Sequence, residues 1–146
     1  MRPATDLVGF AGGFVAAEGC FTRAGPRRFR FAVHLGATDA SMCWYFAALL
    51  GVGHVNNYRR RRPHYDDETV YAVTSLPDLV EVVVPFMDEH LPPSYKREQY
   101  LAWRADLLEY WETKAKRRRL CTEPGCEEPQ RAKGVCRHHY HERYGQ

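Results

Sequence analysis

The sequence lacks the apolar segments that would direct it to or through a membrane. None of its hydrophobic runs approaches the length of a membrane-spanning helix. Residues 1–20 contain no basic stretch followed by the long apolar core of a secretory signal. A disulfide framework is also lacking, because the five cysteines are an odd number and three of them cluster near the C-terminus with a histidine. These absences predict a cytoplasmic protein in a reducing compartment, with no membrane partner.

The chain does contain enough apolar residues for a core and a set of separated basic clusters. Its 146 residues suit one domain plus a small appendage, and 45% of them are hydrophobic. The net charge is only +3, but arginine and lysine concentrate at residues 27–30, 59–62 and 114–119. Such clusters, separated by acidic helical stretches, are typical of proteins that bind nucleic acid.

Hydrophobic periodicity predicts an α+β fold with the order helix, hairpin, helix, hairpin, helix, helix. The strand at residues 28–36 alternates, with Phe29, Phe31, Val33 and Leu35 on one face and Arg28, Arg30, Ala32 and His34 on the other. This order favours a four-stranded antiparallel sheet with helices on one face and basic residues on the other. A two-stranded ribbon of this kind can enter the major groove of DNA.

Caps and turn residues set the expected boundaries of these elements. Thr5 or Asp6 caps a first helix that ends near Glu18, and Ser94 caps a long last helix. The remaining elements are strands at 20–23, 28–36, 53–61 and 69–75 and helices at about 39–50, with Trp44, Phe46, Leu49 and Leu50 as core, and at about 77–90.

The first helix contains glycines that a surface helix would not retain. Each interior glycine costs about 1 kcal/mol of helix stability relative to alanine. A helix that packs against another backbone gains from the missing side chains. We therefore expect a packing seam formed by Gly9, Gly12, Gly13 and Ala16, with Phe10, Phe14 and Ala17 facing the core. The helix ends in a single carboxylate, Glu18.

Residues Ala11–Gly19 resemble the LAGLIDADG motif of homing endonucleases, with Glu18 in the place of its final, metal-binding acidic residue. Two further segments, Leu50–Val55 and Leu91–Tyr100, are similar to that family, and the element order matches over about residues 5–112. Lys96 matches a lysine that joins the family's active site. The resemblance implies an αββαββα domain with a saddle-shaped sheet over residues 1–116.

The sequence departs from the family pattern at several positions. Ala11, Gly12 and Ala16 replace the Leu, Ala and Asp of the motif, so Glu18 is the only carboxylate that this helix offers. Ala37 falls near a position that is polar in the family, where Asp39 or His34 could substitute. These departures leave open whether the protein cleaves DNA.

The resemblance implies a site-specific, Mg²⁺-dependent endonuclease for double-stranded DNA, with Glu18 and Lys96 as catalytic residues and Glu18 as the Mg²⁺ ligand. Because the chain holds one motif, it implies a homodimer with Gly9, Gly12, Gly13 and Ala16 at the interface, a near-palindromic target and association with the nucleoid when bound. The alternative is a catalytically silent DNA- or RNA-binding protein, such as a maturase or regulator. A zinc-dependent interaction module, a third possibility, accounts for the C-terminal segment alone.

Contacts to DNA are expected from the polar face of the two hairpins. On the first hairpin the candidates are Thr22, Arg28, Arg30 and His34. On the second hairpin, if even-numbered positions point outward, they are Asn56, Tyr58, Arg60 and Arg62. Arginine at such positions contacts phosphates more often than guanine edges.

The C-terminal segment, residues 117–146, carries the spacing of a structural zinc site. Cys121, Cys126, Cys136 and His139 follow the pattern C-x4-C-x9-C-x2-H in a polar stretch that is too short for a core of its own. Four such ligands make a closed Zn²⁺ site that supplies the missing folding energy. Neighbouring lysines and arginines suggest that this module extends the DNA footprint, and Cys20 and Cys43 are predicted to be core residues.

Overall fold

The computed structural model describes residues 6–59, 66–116 and 119–145; of Ala115 and Lys116 it describes the backbone alone. The chain divides into two compact units, Met1–Glu109 and Tyr110–Gln146. This division falls inside the long helix Tyr95–Lys116. The sequence predicts the domain boundary at the end of that helix, after residue 116.

The first unit follows the predicted order of elements. Its strands are β1 (Gly19–Arg23), β2 (Phe29–Gly36), β3 (His54–Tyr58) and β4 (Glu68–Val73). Its helices are α1 (Leu7–Glu18), α2 (Ala40–Leu50), α3 (Leu76–Asp78), α4 (Val84–His90) and the first part of α5 (Tyr95–Lys116). The α+β prediction is confirmed, since the strands form one antiparallel sheet in the order β1-β2-β4-β3.

The helices cover the odd-numbered face of this sheet. Phe29, Phe31 and Val33 are buried there, as the alternation predicts. Phe21 packs between Phe31 of the sheet, with ring centroids 5.2 Å apart, and Tyr100 of α5, at 5.1 Å. Residues paired across antiparallel strands point to the same side. The even-numbered residues therefore share the opposite face, which we call the polar face: Cys20, Thr22, Arg30, Ala32, His34, His54, Asn56, Tyr58, Glu68, Val70 and Ala72.

The orientation of α1 and α2 differs from the prediction. Asp6 caps α1, accepting a hydrogen bond from the Gly9 N–H at 2.9 Å. The buried side of α1 consists of Ala11, Gly12 and Val15. Phe10 is 50% exposed and Ala17 is exposed, so the predicted core face was wrong for these two residues. Gly12 lies in close contact with the backbone of His90, which places this side of α1 toward the interior.

Phe14 does reach the core, where its ring lies 5.6 Å from that of Phe46. In α2 the buried residues are Cys43 and Phe46, one helical turn apart. Trp44 is 59% exposed and was wrongly assigned to the core. Leu49 and Leu50 are half-buried.

The third predicted helix, 77–90, is helical throughout but irregular. A π-helical turn, Leu79–Val83, separates α3 from α4, and the Val84 N–H bonds the Leu79 carbonyl. Pro85 follows at the start of α4. A proline ring crowds the carbonyl four residues earlier, and a wider turn relieves that contact. The sequence signal for the irregularity is therefore Pro85.

The second unit is small and held by short backbone contacts. Two isolated bridges, Leu120 with Pro129 and Ala132 with Val135, precede α6 (Arg137–Tyr144). Lys133 and Gly134, with φ of 51° and 81°, form the tight turn between Ala132 and Val135. In neither unit does the described chain contain a helix both long and apolar enough to cross a membrane.

Candidate nucleic-acid interface and metal sites

The register of the sheet arranges the polar face in rows across the strands. Thr22 lies opposite Arg30 at one end. The next rows are Cys20, Ala32, Ala72 and His54, then His34, Val70 and Asn56, and then Gly36, Glu68 and Tyr58. Hydrogen-bonding side chains thus occur on all four strands of this face.

The centre of the polar face is apolar and shielded. Ala32, Val70 and Ala72 form one cluster and are at most 2% exposed. The polar residues Thr22, His34, Asn56 and Tyr58 are exposed around it. Small central residues leave the surrounding longer side chains to make contacts with a partner.

The structure brings together five of the eight residues expected to contact DNA. Thr22, Arg30, His34, Asn56 and Tyr58 all lie on the polar face. Arg28 is exposed but precedes β2 and has no place in the register. Arg60 and Arg62 lie outside the described residues.

Among the described residues, a side-chain hydrogen bond crosses the polar face. Nδ1 of His34 on β2 lies 3.1 Å from Oε1 of Glu68 on β4. Glu68 was not predicted as a site residue, although its even-numbered position in the second hairpin would have placed it on this face.

Glu18 is the exposed last residue of α1, and β1 begins directly after it. A Cβ on Gly19 would lie 2.6 Å from the Val15 carbonyl oxygen, so this tight junction requires glycine. Negative charge at a helix C-terminus is disfavoured by the helix dipole. No side-chain hydrogen bond or ion pair within the described chain compensates Glu18, which leaves its carboxylate available for a cation.

Lys96 lies half-buried in the first turn of α5. No hydrogen bond or ion pair joins it to Glu18 among the described residues. Ala37 and Asp39 bound an exposed 3₁₀ turn after β2, and the Ala37 N–H donates to the Asp67 carbonyl at 2.8 Å. His34, the other expected substitute at this position, is bonded to Glu68.

The C-terminal end of α4 contacts both helices that carry the candidate catalytic residues. A Cβ on Gly12 of α1 would collide with the carbonyl oxygen of His90. The Arg97 guanidinium of α5 donates to the carbonyls of Met87 at 3.4 Å, Asp88 at 3.2 Å and Leu91. This role of Arg97 was not predicted, because a lone arginine in the sequence gives no signal for it.

The four residues expected to form a packing seam have different surroundings. Gly12 is buried against its own chain, so its predicted place between two subunits is corrected: intramolecular packing explains this glycine. A Cβ on Gly9 would collide with the Asp6 cap, whereas Gly13 faces open space. Ala16 is half-buried.

The four predicted zinc ligands converge in the second unit. The Sγ atoms of Cys121, Cys126 and Cys136 and a ring nitrogen of His139 all lie within 4.8 Å of one another, and all five cysteines of the chain are free. The Sγ atoms of Cys126 and Cys136 are 3.9 Å apart. Tetrahedral Zn²⁺ with bonds of about 2.3 Å separates two sulfurs by about 3.8 Å. This donor set and spacing fit zinc.

His139 is also held from its far side. Its Nδ1 lies 3.3 Å from Sγ of both Cys121 and Cys136, while its Nε2 lies 4.0 Å from Oε2 of Glu142. A carboxylate behind a ligating histidine fixes the ring orientation. Glu142 was not identified from the sequence, although its three-residue spacing from His139 on a helix is a usable signal.

The pKa values of two of these thiols shift in opposite directions. Burial raises the pKa of Cys121, but hydrogen bonds with the backbone of Glu123 and Cys136 and with the side chains of His139 and Cys126 lower it to about 6 overall. The Glu128 backbone lowers the pKa of Cys126, but burial and the neighbouring thiols leave it raised. The cluster thus favours the thiolate that a metal requires at Cys121.

The two remaining cysteines differ in burial. Cys43 is fully buried in α2, and burial raises the pKa of its thiol. Cys20 is half-buried on the polar face and was wrongly assigned to the core.

Comparison with solved structures identifies the same fold in DNA-bound nucleases. The I-SmaMI LAGLIDADG homing endonuclease bound to cleaved DNA matches with a TM-score of 0.63 and 18% identity, over 78% of this chain and 40% of that one. I-SmaMI with an uncleaved target and calcium ions gives 0.61 and 20%, over 72% and 37%. The I-LtrWI LAGLIDADG homing endonuclease bound to target DNA gives 0.60 and 20%, over 80% and 40%.

The chain therefore spans about two fifths of the length of the structures it matches. No protein-family model matches its sequence, and no curated protein matches it either.

Proposed function

We propose that the protein is a site-specific endonuclease for double-stranded DNA, with Mg²⁺ as its catalytic ion. The observation that carries this proposal is the exposed, uncompensated Glu18 carboxylate at the junction between α1 and the first strand of the polar face. The shared fold with DNA-bound homing endonucleases supports it. An intracellular, nucleoid-associated location follows from this function.

The polar face supplies the DNA contacts in this proposal. Arg30 donates to phosphates or guanine edges, and Asn56 is suited to adenine. Arg28 extends the contacts along the backbone from the adjoining loop. Arg60 and Arg62 lie outside the described residues, but their positive charge follows β3 closely in the sequence and is proposed to contribute to DNA binding.

Two copies would complete the active site. Glu18 is a single carboxylate, and hard oxygen ligands suit Mg²⁺. When bound, the ion would activate water and stabilise charge on the scissile phosphate. Glu18 from each copy would hold it, and Lys96 would orient water or stabilise negative charge on the phosphate oxygens.

The exposed side of α1 is suited to join the copies. Leu7 and Phe10 are 52% and 50% exposed, and Gly13 and Ala17 continue the same exposed stripe toward Glu18. We infer a homodimer through this stripe, with Gly9 and Ala16 at its edges. A two-fold axis there would be mirrored by a near-palindromic target.

In the second unit, Cys121, Cys126, Cys136 and His139 hold structural Zn²⁺. All four positions are filled by protein atoms, so the site is closed to substrate. Its function is to fold the 119–145 segment, and Arg131, Lys133 and Arg137 extend the DNA-binding surface.

The test is cleavage of a target selected from a randomised duplex library in the presence of Mg²⁺. Glu18→Gln should reduce cleavage about 100-fold or more, because the ion contributes several kcal/mol to the transition state, while leaving DNA binding intact. Glu81→Gln, an exposed carboxylate change elsewhere in the first unit, is the matched control. Binding without strand scission by the unaltered protein would refute the endonuclease and favour a silent nucleic-acid-binding protein.

A further inference from the structure

His34 and Glu68 form a hydrogen-bonded pair on the polar face. The two residues lie on adjacent strands, two positions apart in register, with 3.1 Å between Nδ1 and Oε1. Their side chains are 40% and 24% exposed, respectively. The pair therefore lies at the surface, where neighbouring residues partly shield both side chains from solvent.

The carboxylate decides which ring nitrogen of His34 carries the hydrogen. An ionised carboxylate only accepts hydrogen bonds, so Nδ1 of His34 must donate. In the neutral ring, Nε2 is then left with a lone pair and acts as an acceptor. Nε2 makes no hydrogen bond to the described residues of the chain.

Glu68 is the only carboxylate on the polar face as far as that face is described. Its neighbours on the face are Tyr58 directly opposite and Asn56 in the adjacent row. Arg30 lies four residues before His34 on the same strand. The hydrogen bond to His34 gives Glu68 a role on the polar face, because it can orient a neighbouring side chain that contacts a base.

We propose that Glu68 is a positioning residue, which fixes His34 as a hydrogen-bond acceptor toward the major groove and thereby makes His34 specificity-determining. Adenine and cytosine present amino donors there, whereas guanine and thymine present carbonyl acceptors. His34 therefore selects adenine or cytosine at one position of each half-site. This inference rests on the proposed DNA-binding function.

The first experiment selects binding sites from a randomised duplex library with the full-length, zinc-containing protein and its variants. The unaltered protein should favour adenine or cytosine about fivefold at one half-site position, the discrimination of one net hydrogen bond. His34→Ala should abolish the preference at that position alone. Glu68→Gln should relax it toward guanine and thymine, because an amide can donate to Nδ1 and leave the hydrogen on Nε2.

Asp106→Asn is the matched control, since Asp106 pairs with Arg23 at 2.9 Å and Arg23 occupies an odd-numbered position on β1. This variant removes a carboxylate from an ion pair away from the polar face, and it should leave every base preference unchanged.

A second measurement changes the DNA target instead of Glu68. In the selected target, N6-methyladenine replaces the preferred adenine, or N4-methylcytosine replaces cytosine, so that a methyl group replaces the amino hydrogen in the major groove while the other hydrogen still pairs with the opposite base. The unaltered protein should bind this duplex about fivefold more weakly, and His34→Ala should bind both duplexes equally.

The outcomes separate this inference from the function on which it rests. Recovery of no DNA at all refutes the DNA-binding function and the inference with it. A recovered target whose preferences survive His34→Ala, or that carries guanine or thymine at the His34-dependent position, overturns the inference alone.

Discussion

Two adjacent glycines of α1 have different surroundings. Gly12 lies against the His90 carbonyl of α4, where no side chain fits, and Gly13 faces open space. Packing thus requires glycine at position 12. At position 13, glycine only lowers the stability of the helix.

Gly12→Ala should therefore destabilise the protein by about 1–3 kcal/mol, since a Cβ must displace backbone. Gly13→Ala should stabilise the isolated chain by up to about 1 kcal/mol through helix propensity. Urea unfolding of both variants followed by circular dichroism measures the difference. Equal effects at the two positions would contradict the packing of α1 on α4.

Two buried tyrosines couple stability to high pH. Burial, with the hydrogen bond to Asp88, raises the pKa of Tyr100 above its ordinary value of 10, and burial, with Asp78, raises that of Tyr71. The unfolded chain therefore releases these protons first. Their contribution to stability is complete below about pH 10 and is lost as the pH rises above it.

Tyr100→Phe should reduce the fall in unfolding free energy above pH 10 by about 1.4 kcal/mol per pH unit. It should also lower stability at neutral pH, because the hydroxyl bonds Asp88 at 2.6 Å and the Val84 carbonyl at 3.0 Å. Denaturant titrations across this pH range provide the measurement. Tyr95→Phe, a change at a residue that is 75% exposed, should leave the pH dependence unaltered.

At the scale of elements, the end of α4 is the point where α1 and α5 are fixed to each other. Arg97 satisfies three terminal carbonyls of this region, and Ser94 caps α5 by accepting from the Arg97 N–H at 3.1 Å. Asp88 adds an ion pair to Arg104 at 2.9 Å. The junction orients the helices that carry Glu18 and Lys96.

Arg97→Met should lower the free energy of unfolding by about 1–3 kcal/mol, because three carbonyls at the end of α4, two of them in partly buried hydrogen bonds, lose a charged donor. Arg97→Lys should recover part of it, since a single ammonium cannot span the same acceptors. Thermal unfolding compares the two variants. An unchanged melting temperature for Arg97→Met would contradict the role of Arg97 at this junction.

At the scale of the whole molecule, the two units depend on different sources of stability. The first has an aromatic core under a four-stranded sheet, whereas the second buries little beyond Val135 and its cysteines. We expect metal to be essential for the second unit only.

Removal of metal by a chelator should shift the amide signals of residues 119–145 from their folded positions to the narrow range typical of an unfolded chain. The signals of residues 6–109 should remain unchanged. Two-dimensional NMR resolves the two sets. Cys136→Ser should reproduce the effect of the chelator, and Cys20→Ser should not. Loss of both sets of signals together would show that the first unit also needs the metal.

Dimerisation is the second property of the whole molecule. Phe10→Arg should prevent association through the exposed stripe of α1 and abolish double-strand cleavage. Tyr95→Arg, which places the same charge at an exposed aromatic outside α1, should leave the protein dimeric. Analytical ultracentrifugation at working concentration distinguishes them, and an unaltered protein that sediments as a monomer would refute the dimer.

Local patterns were sufficient for most of the architecture. Alternation in β2 predicted both faces of the sheet, because the two-residue period of a strand is independent of its surroundings. Cysteine and histidine spacing predicted the ligand cluster, since its members are close in the chain. The buried side of α1 and α2 was predicted less well, as Phe10 and Trp44 illustrate. Both helices carry apolar residues on all sides, so the sequence pattern does not single out one face.

The sequence by itself determined the order of helices and hairpins, the carboxylate at the end of α1 and the four converging metal ligands. Only the tertiary structure decided that Gly12 packs within its own chain, that Arg97 bonds the end of α4 and that Glu68 meets His34. The physical reason is distance along the chain: propensity and periodicity act over a few residues. These contacts join side chains and carbonyls from different elements, whose relative placement depends on the packed core.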